Sequence, residues 1–410
     1  MNRLIAALLA ATAFAHQAQA QTMPPASSGV QFTLDLALKA AGAVSPALEA
    51  ASADVRAAQA GRQVAGLRPN PSLTVEAENV AGSGPYRRTD AMEATTSLAL
   101  PIELGGKRSA RIAVADARTD RASIQAAIAQ ADLRLRVTET YAEAAAAERR
   151  LAIALDQSRI AGEASRVARL RVQAGRASPI DEQRADVARI NADSSAERAR
   201  RTVDVSRAAL ARLLGQPITG AFDDAWFARL PARFGPLRPI DSSGTLALAA
   251  TQADLAIANA GVQLARSQRV PDLTVSAGAR RLEQTNDTAA VFSLSIPIPL
   301  FNSGRAALSQ ASAERQRADA QRRVTALDVD QAIARVQADA ANAATSAAAA
   351  SGPALRAAEE AARIARIGYR EGKFGQLDLL DAERTLAETR GAAIDALLAY
   401  HIAQAQLERL

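Results

Sequence analysis

The chain states one structural unit twice. Pro71-Ser72-Leu73-Thr74-Val75 returns as Pro271-Asp272-Leu273-Thr274-Val275, and Ser97-Leu98-Ala99-Leu100-Pro101-Ile102-Glu103-Leu104 returns as Ser293-Leu294-Ser295-Ile296-Pro297-Ile298-Pro299-Leu300. Gly175, Asp181 and the Leu210/Leu213 pair return as Gly372, Asp378 and the Leu407/Leu410 pair. Three blocks in one order, at a spacing of about 200 residues, mark an internal duplication. The unit joins a helix, two strands and a helical hairpin, a shape that few soluble folds need.

Composition says what the unit is made of. Aromatic residues are only 3% of the chain, while Ala, Arg, Leu, Gln and Glu fill long stretches without Pro or Gly. Those residues have the highest helix propensities, so the bulk is expected to be long helices packed through small side chains. There is no cysteine, which excludes disulfides, zinc–thiolate sites, thiol catalysis and a lipidated N-terminal cysteine. Asn2-Arg3, the apolar run Leu4 to Ala15, and Ala18-Gln19-Ala20 read as a secretory signal peptide over residues 1–20, too short to anchor the chain across a bilayer. No later apolar stretch has the length of a transmembrane helix, although strands of a β-barrel give a much weaker signal. The formal charge of +6 does not point to nucleic acid, because arginines alternate with acidic residues along helical stretches such as Glu314 to Asp319.

Within the first repeat, a helix from about Thr33 to Leu67, broken near Gly42 to Pro46, stops at Arg68-Pro69-Asn70-Pro71. A strand over about 72–80 sets Leu73, Val75 and Ala77 on one face and Thr74, Glu76 and Glu78 on the other. A second strand is expected over about 92–100, and the pattern recurs at about 272–280 and 290–297. Each strand has the length that crosses a bilayer when tilted. Two hairpins cannot close a barrel, and open sheet edges do not survive in lipid. Either these strands sit on a soluble core, or several chains pool them into one closed barrel.

The helical hairpins span about 106–214 and 305–410, turning at Gly175 to Pro179 and at Glu371 to Gly375, with a kink expected at Gly352-Pro353. Leu379, Leu386, Ala393, Tyr400 and Leu407 fall every seven residues on the returning helix, and a small-residue row follows three positions later. That period fits helices packed side by side over their full length. Residues 215–244, Pro- and Phe-rich and holding the only tryptophan, Trp226, read as an irregular connector packed outside the helices. The domain plan is therefore a signal peptide (1–20), a first repeat (21–214), the connector (215–244) and a second repeat (245–410).

No cluster for chemistry is visible. His401 stands alone on an Ala-rich helix and reads as a surface or packing residue, there is no nucleotide loop, and no Ser/His/Asp set can form around it. Neither an enzyme, a cofactor nor a bound metal is expected. Asp378 and Asp381, spaced by three, share one face of the last helix. In a single chain they read as carboxylates favoured by the helix dipole; in a symmetric oligomer they would form stacked acidic rings around the axis.

The signal peptide, the duplicated unit, and Tyr369-x-x-Gly372 followed by Asp378-Leu379-Leu380-Asp381 resemble the TolC-type outer-membrane efflux proteins. Leu67-Arg68-Pro69-Asn70-Pro71 and Pro101-Ile102-Glu103-Leu104-Gly105-Gly106-Lys107-Arg108 are similar to the cobalt–zinc–cadmium, heavy-metal branch, whereas Phe301-Asn302-Ser303-Gly304 departs from the longer turn common there. The resemblance implies a mainly α fold with membrane β: a homotrimeric twelve-stranded outer-membrane β-barrel, four strands per chain, continuous with a long periplasmic α-helical coiled-coil barrel. It makes Tyr369 the tyrosine of a closed periplasmic gate and Asp378 and Asp381 the acidic rings inside the tunnel mouth. It places Gly175, Arg176, Gly372 and Lys373 at the tips, where a periplasmic adaptor protein docks. Phe374 stands where the family often has a basic residue, with Lys373 beside it. Tyr369 and Asp381 face Val172 and Arg184 in the first copy, so the gate is expected in the second.

The implied function is a passive outer-membrane exit duct of a tripartite RND-type efflux system, with its helical part in the periplasm and served by an inner-membrane RND pump. Divalent heavy-metal cations are the expected cargo; the same duct serving multidrug efflux or type I secretion is the alternative. Without the resemblance, the residues also allow a soluble periplasmic coiled-coil scaffold.

Overall fold

Ser45 both ends and starts a helix, and the first repeat begins around it. The computed structural model describes residues 31–230 and 241–410; the expected signal peptide, the Pro/Ser-rich lead and residues 231–240 of the connector lie outside the described residues. Helix α1 (Leu34–Val44) closes at Ser45, whose hydroxyl accepts from the Leu48 amide at 3.4 Å to open α2 (Pro46–Ala65). Pro46 takes the first helical position, where its missing N–H has no partner to lose. Strands β1 (Ser72–Glu78) and β2 (Glu93–Ile102) follow, then α3 (Lys107–Gln173) and α4 (Pro179–Leu214). A short α5 (Asp224–Phe227) lies in the connector. The second repeat is α6 (Leu246–Ser267), β3 (Leu273–Leu282), β4 (Asp287–Ser295), α7 (Arg305–Ala349), α8 (Leu355–Arg370) and α9 (Gln376–Arg409).

At 1.5 Å per residue, the 67 residues of α3 extend about 100 Å. Among the described residues no helix is long and apolar enough to cross a membrane. The expected kink at Gly352-Pro353 is a π-helical turn, Ala350–Ala354, between α7 and α8. Widening the turn accommodates a proline that has no N–H and whose ring would clash with the carbonyl four residues back.

The four strands form one antiparallel sheet in the order β1-β2-β3-β4, so the hairpin of one repeat pairs directly with that of the other. All four strands differ from the sequence reading at one or both ends, with β1 ending earlier, at Glu78, and β3 running later, to Leu282, and three of the shifts have a clear local reason. β2 runs on to Ile102 because β3, not β1, pairs with its last residues (Ile102 with Leu273). β4 starts early, at Asp287, because Asn286 takes a positive φ of 56° and makes a tight turn. β4 stops at Ser295, where Pro297 and Pro299 remove two ladder donors. Gly278 lies where β3 crosses β2: a Cβ there would stand 2.3 Å from the Thr96 carbonyl oxygen.

The sheet is inside-out for a protein in water. Leu73, Val75, Leu98, Leu100, Val275, Phe292 and Leu294 share one face, and all of them are exposed. Thr95, Ser97, Ser276 and Arg280 on the other face are the more covered ones. Arg280 bonds Glu93 at 2.7 Å and the Thr95 hydroxyl at 2.9 Å there. Among the described residues no helix packs across either face. An uncovered apolar face next to a screened polar one does not describe a strand pair resting on a soluble core; it describes a barrel wall with lipid outside and water inside.

The main core sits where the connector meets the helices. Tyr141 of α3 is fully buried; its hydroxyl donates to the Phe32 carbonyl at 2.6 Å and accepts the Asp223 amide at 3.2 Å. Phe222 and Trp226 meet its ring edge-on, each at 5.1 Å. Burial pushes the phenol up to about 12, which keeps it a donor. Trp226 in turn stacks on His401 of α9 at 4.2 Å, and the His401 Nε2 lies 2.9 Å from the Phe227 carbonyl. His401 is thus a packing residue. It also moves the buried stripe of α9: Leu379, Leu386 and Ala393 keep the heptad, and Leu397, His401 and Ala405 then replace Tyr400 and Leu407 as the covered positions.

Burial lowers the His401 pKa below the usual histidine value, the carbonyl contact opposes this, and Arg149 adds to it. The native state therefore resists a proton that the unfolded chain accepts below about pH 6.5. Stability is expected to fall by up to about 1.4 kcal/mol per pH unit below that point, until the native imidazole titrates. Urea unfolding of the helices between pH 7.5 and 5 checks this: the slope should shrink in His401→Gln, and an equal slope in both proteins refutes the assignment.

Candidate functional site

Both helical hairpins end in the same turn chemistry. At the α3–α4 tip, Gly175 (φ 68°) donates to the Val172 carbonyl at 2.9 Å and Arg176 to the Arg171 carbonyl at 2.8 Å. At the α8–α9 tip, Gly372 (φ 75°) donates to the Tyr369 carbonyl at 3.2 Å and Lys373 to the Gly368 carbonyl at 2.8 Å. This paired bonding with a left-handed glycine satisfies the last carbonyls of each outgoing helix. The returning helices also start alike. The Asp181 carboxylate accepts the Ser178 amide at 3.3 Å, and the Asp378 carboxylate accepts the Gly375 amide at 2.9 Å. Asp378 therefore has a local capping role, the single-chain reading of that residue.

A residue pair that joins the two repeats fastens the tips to each other. Arg171, in the last turn of α3, donates through Nη2 to the Tyr369 carbonyl at 2.8 Å, and its Cζ lies 4.2 Å above the Tyr369 ring. Tyr369 is 5% exposed and packs with Ala365, Leu379, Val167 and Ala382. Burial raises the phenol pKa; the Arg171 charge lowers it and Asp181 raises it. No described residue bonds the hydroxyl. The duplication explains why Arg171 is there: it occupies the position of Gly368, and Gly368 is small because the Phe374 ring folds back on it, 2.2 Å from where a Cβ would stand. Phe374, the departure from the family pattern, thus closes the second tip, and the first tip spends the equivalent position on an arginine that reaches across.

Above the tip, further charges tie α3, α8 and α9. Arg366 makes a two-pronged bond to Glu383, with the second contact at 2.7 Å, and Glu383 is 3% exposed. Arg390 reaches Asp156 of α3 and Glu359 of α8, both at 3.4 Å. A groove of about 340 Å³ runs between these helices, lined by Arg159, Arg166, Arg366, Tyr369, Leu379 and Glu383. Asp381 is exposed and forms no ion pair or hydrogen bond with the described residues. Arg176 is exposed, and Lys373 pairs with Glu371 at 2.7 Å. No group of three potential ligands for a metal ion occurs among the described residues.

Of the residues singled out from the sequence, Tyr369 is therefore inside an inter-repeat contact, Asp378 is a cap, and Asp381 and the tip residues are open. Sequence reasoning missed Arg171, Arg366 and Glu383. Arg171 was legible only as the odd residue at the position where the second copy has Gly368.

Comparisons with known proteins agree with this geometry. The family model described as outer membrane efflux protein matches residues 37–216 and again 243–410, once over each repeat. The chain is 31% identical over 369 residues to the cobalt-zinc-cadmium resistance protein CzcC of Cupriavidus metallidurans, covering 89% of this chain and 86% of that protein. It is 30% identical over 321 residues to the nickel-cobalt-cadmium resistance protein NccC of Alcaligenes xylosoxydans xylosoxydans, covering 77% of this chain and 70% of the relative. Its fold is that of the outer membrane protein VceC of Vibrio cholerae, with a TM-score of 0.74, 22% identity, and 91% of this chain and 94% of that chain covered. With the duplicated unit, the inside-out sheet and the long hairpins in hand, the chain belongs to the outer membrane efflux protein family.

Proposed function

We propose that the chain is one subunit of a homotrimeric exit duct that carries divalent heavy-metal cations across the outer membrane without chemistry of its own. In this reading residues 1–20 are removed on export. Three four-stranded sheets close into a barrel, since neither edge strand has a partner among the described residues and lipid offers none. The hairpins form the periplasmic tunnel. A periplasmic adaptor engages the open tip residues Gly175, Arg176, Gly372 and Lys373 and couples the duct to an inner-membrane RND pump, which supplies the energy. The Arg171–Tyr369 contact holds each subunit's tips together and keeps the mouth narrow, and Asp381 faces the passing cations.

The cargo rests on one observation: the 31% identity that covers 89% of this chain and 86% of a cobalt-zinc-cadmium resistance protein. Deleting the gene should lower tolerance to zinc, cobalt, cadmium or nickel and leave tolerance to common antibiotics unchanged, with recovery on complementation. Sensitivity confined to antibiotics would remove the metal assignment and leave the duct.

A further inference from the structure

Both outer strands of the sheet carry apolar side chains that none of the described residues covers. On β1, Leu73 is 68% and Val75 is 70% exposed. On β4 the even-numbered apolar row, Phe292, Leu294 and Ile296, continues past the last residue paired with β3, Ser295, to Ile298 at 76% exposure. The two rows have the same character, and the repeats say how they meet.

Hairpin registers fix the correspondence between repeats more tightly than residue strings do. In the first hairpin Thr74 faces Ser97; in the second Thr274 faces Ser295. With Thr74 and Thr274 equivalent, Ser97 corresponds to Ser295, not to Ser293 as the matching strings suggest. From those serines the chain runs the same distance, with no gap, to Gly106 and Gly304, the left-handed residues that start α3 and α7 (φ 76° and 70°). Leu98, Leu100 and Pro101 therefore correspond to Ile296, Ile298 and Pro299.

Within the chain, Leu98 faces Ala277, Leu100 faces Val275 and Pro101 faces Thr274. Carried over by the repeat, this intrachain seam gives the seam between copies. We infer that β4 and the run after it pair antiparallel with β1 of a second copy of this chain, with Ile298 opposite Val75, Ile296 opposite Ala77 and Pro299 opposite Thr74. The inference rests on the trimeric reading above and adds its register.

Three features support this register. Both apolar rows come to the same face, whereas a slip of one residue would set Ile298 beside Thr74 or Glu76 on the polar face. A proline at this place is compatible with pairing, because Pro101 already sits in β2 opposite Thr274. The rival register is a slip of two, the one that equates Pro297 with Pro101 as the residue strings do. The two seams also differ at the corner. Asp272 accepts the Leu104 amide at 3.1 Å and the Lys107 ammonium at 2.7 Å, but its counterpart is Ser72, so the seam between copies is held by backbone pairing and the apolar row without that ion pair.

The absence of cysteine makes the test clean. Directly opposite residues lie about 5 Å apart and can form a disulfide, whereas a displacement of two residues leaves them beyond its reach of about 7 Å. The full-length protein in outer membranes is oxidised with Val75→Cys paired with Ile296→Cys, Ile298→Cys or Leu300→Cys. Leu100→Cys with Val275→Cys serves as the intrachain control. The Val75/Ile298 pair should give reducible dimers and trimers at least about five-fold above the other two. Stronger linkage through Ile296 or Leu300 overturns the register and leaves the trimer standing. No linkage from any pair, with a trimeric mass in detergent by light scattering, also overturns the register. No linkage with a monomeric mass overturns the trimeric reading itself.

Discussion

Tyr141→Ala should cost about 3–5 kcal/mol, the usual range for deleting a fully buried aromatic ring. The residue is 0% exposed, and two chain segments distant in sequence, at Phe32 and at Phe222 to Trp226, converge on it. Removing the ring opens a cavity between Phe222 and Trp226, and it leaves the Phe32 carbonyl and the Asp223 amide without the hydroxyl that joins them. Tyr141→Phe keeps the ring and loses only the hydroxyl, which should cost about 1–3 kcal/mol because the Phe32 carbonyl stays buried and the Asp223 amide partly so. The order Ala, then Phe, then native should appear in urea midpoints of the protein and in the rate of protease cleavage at the connector. A Tyr141→Ala protein with native midpoint and an uncut connector would show that the connector is not held from this point.

Arg171→Ala should open the tips. The side chain contributes a cation–π contact, about 1 kcal/mol, and a charged hydrogen bond to a carbonyl, about 2 kcal/mol. Together these amount to about 3 kcal/mol, or roughly a hundred-fold shift between closed and open tips. In planar bilayers the native pore should show mostly small conductance and Arg171→Ala a several-fold larger one. Arg171→Lys should fall between, because an ammonium keeps the charge but lacks the flat fork that stacks on the ring and reaches the carbonyl together. Equal conductance in all three proteins would mean that this contact does not gate the duct. Loss of current block by divalent cations in Asp381→Ala, with Asp378 intact, would separate a lumenal carboxylate from a cap.

Much of this protein was readable because its signals are local and repeated. Thr74 and Glu76 alternating with Leu73 and Val75 marked a strand with two unlike faces, and the structure has β1 there. The proline-free stretch from Gly106 to Ala174 marked the long helix, and α3 occupies it. Gly175 and Gly372 marked the turns through a left-handed conformation that glycine reaches without strain. Less was legible wherever partners come from far along the chain. Matching strings placed the second strand of repeat two against Ser293, and only backbone pairing shows that Ser295 is the true counterpart of Ser97. The tyrosine of the tip was found by pattern, but its arginine lies 198 residues earlier and matches no motif.

By itself, then, the sequence determined the main elements: helix length from propensity, strand faces from alternation, tips from glycine, and a unit made twice. Those properties depend on neighbours within a few residues, so they survive being read one segment at a time. Only the tertiary structure decided which faces stay uncovered, that the first and second hairpins join into one sheet, and that Arg171 closes on Tyr369 while Asp378 turns inward to its own helix. Burial and cross-repeat distance are properties of the whole packed chain. Two copies of one unit, nearly alike in sequence, acquire different roles only when each has the other as its surroundings.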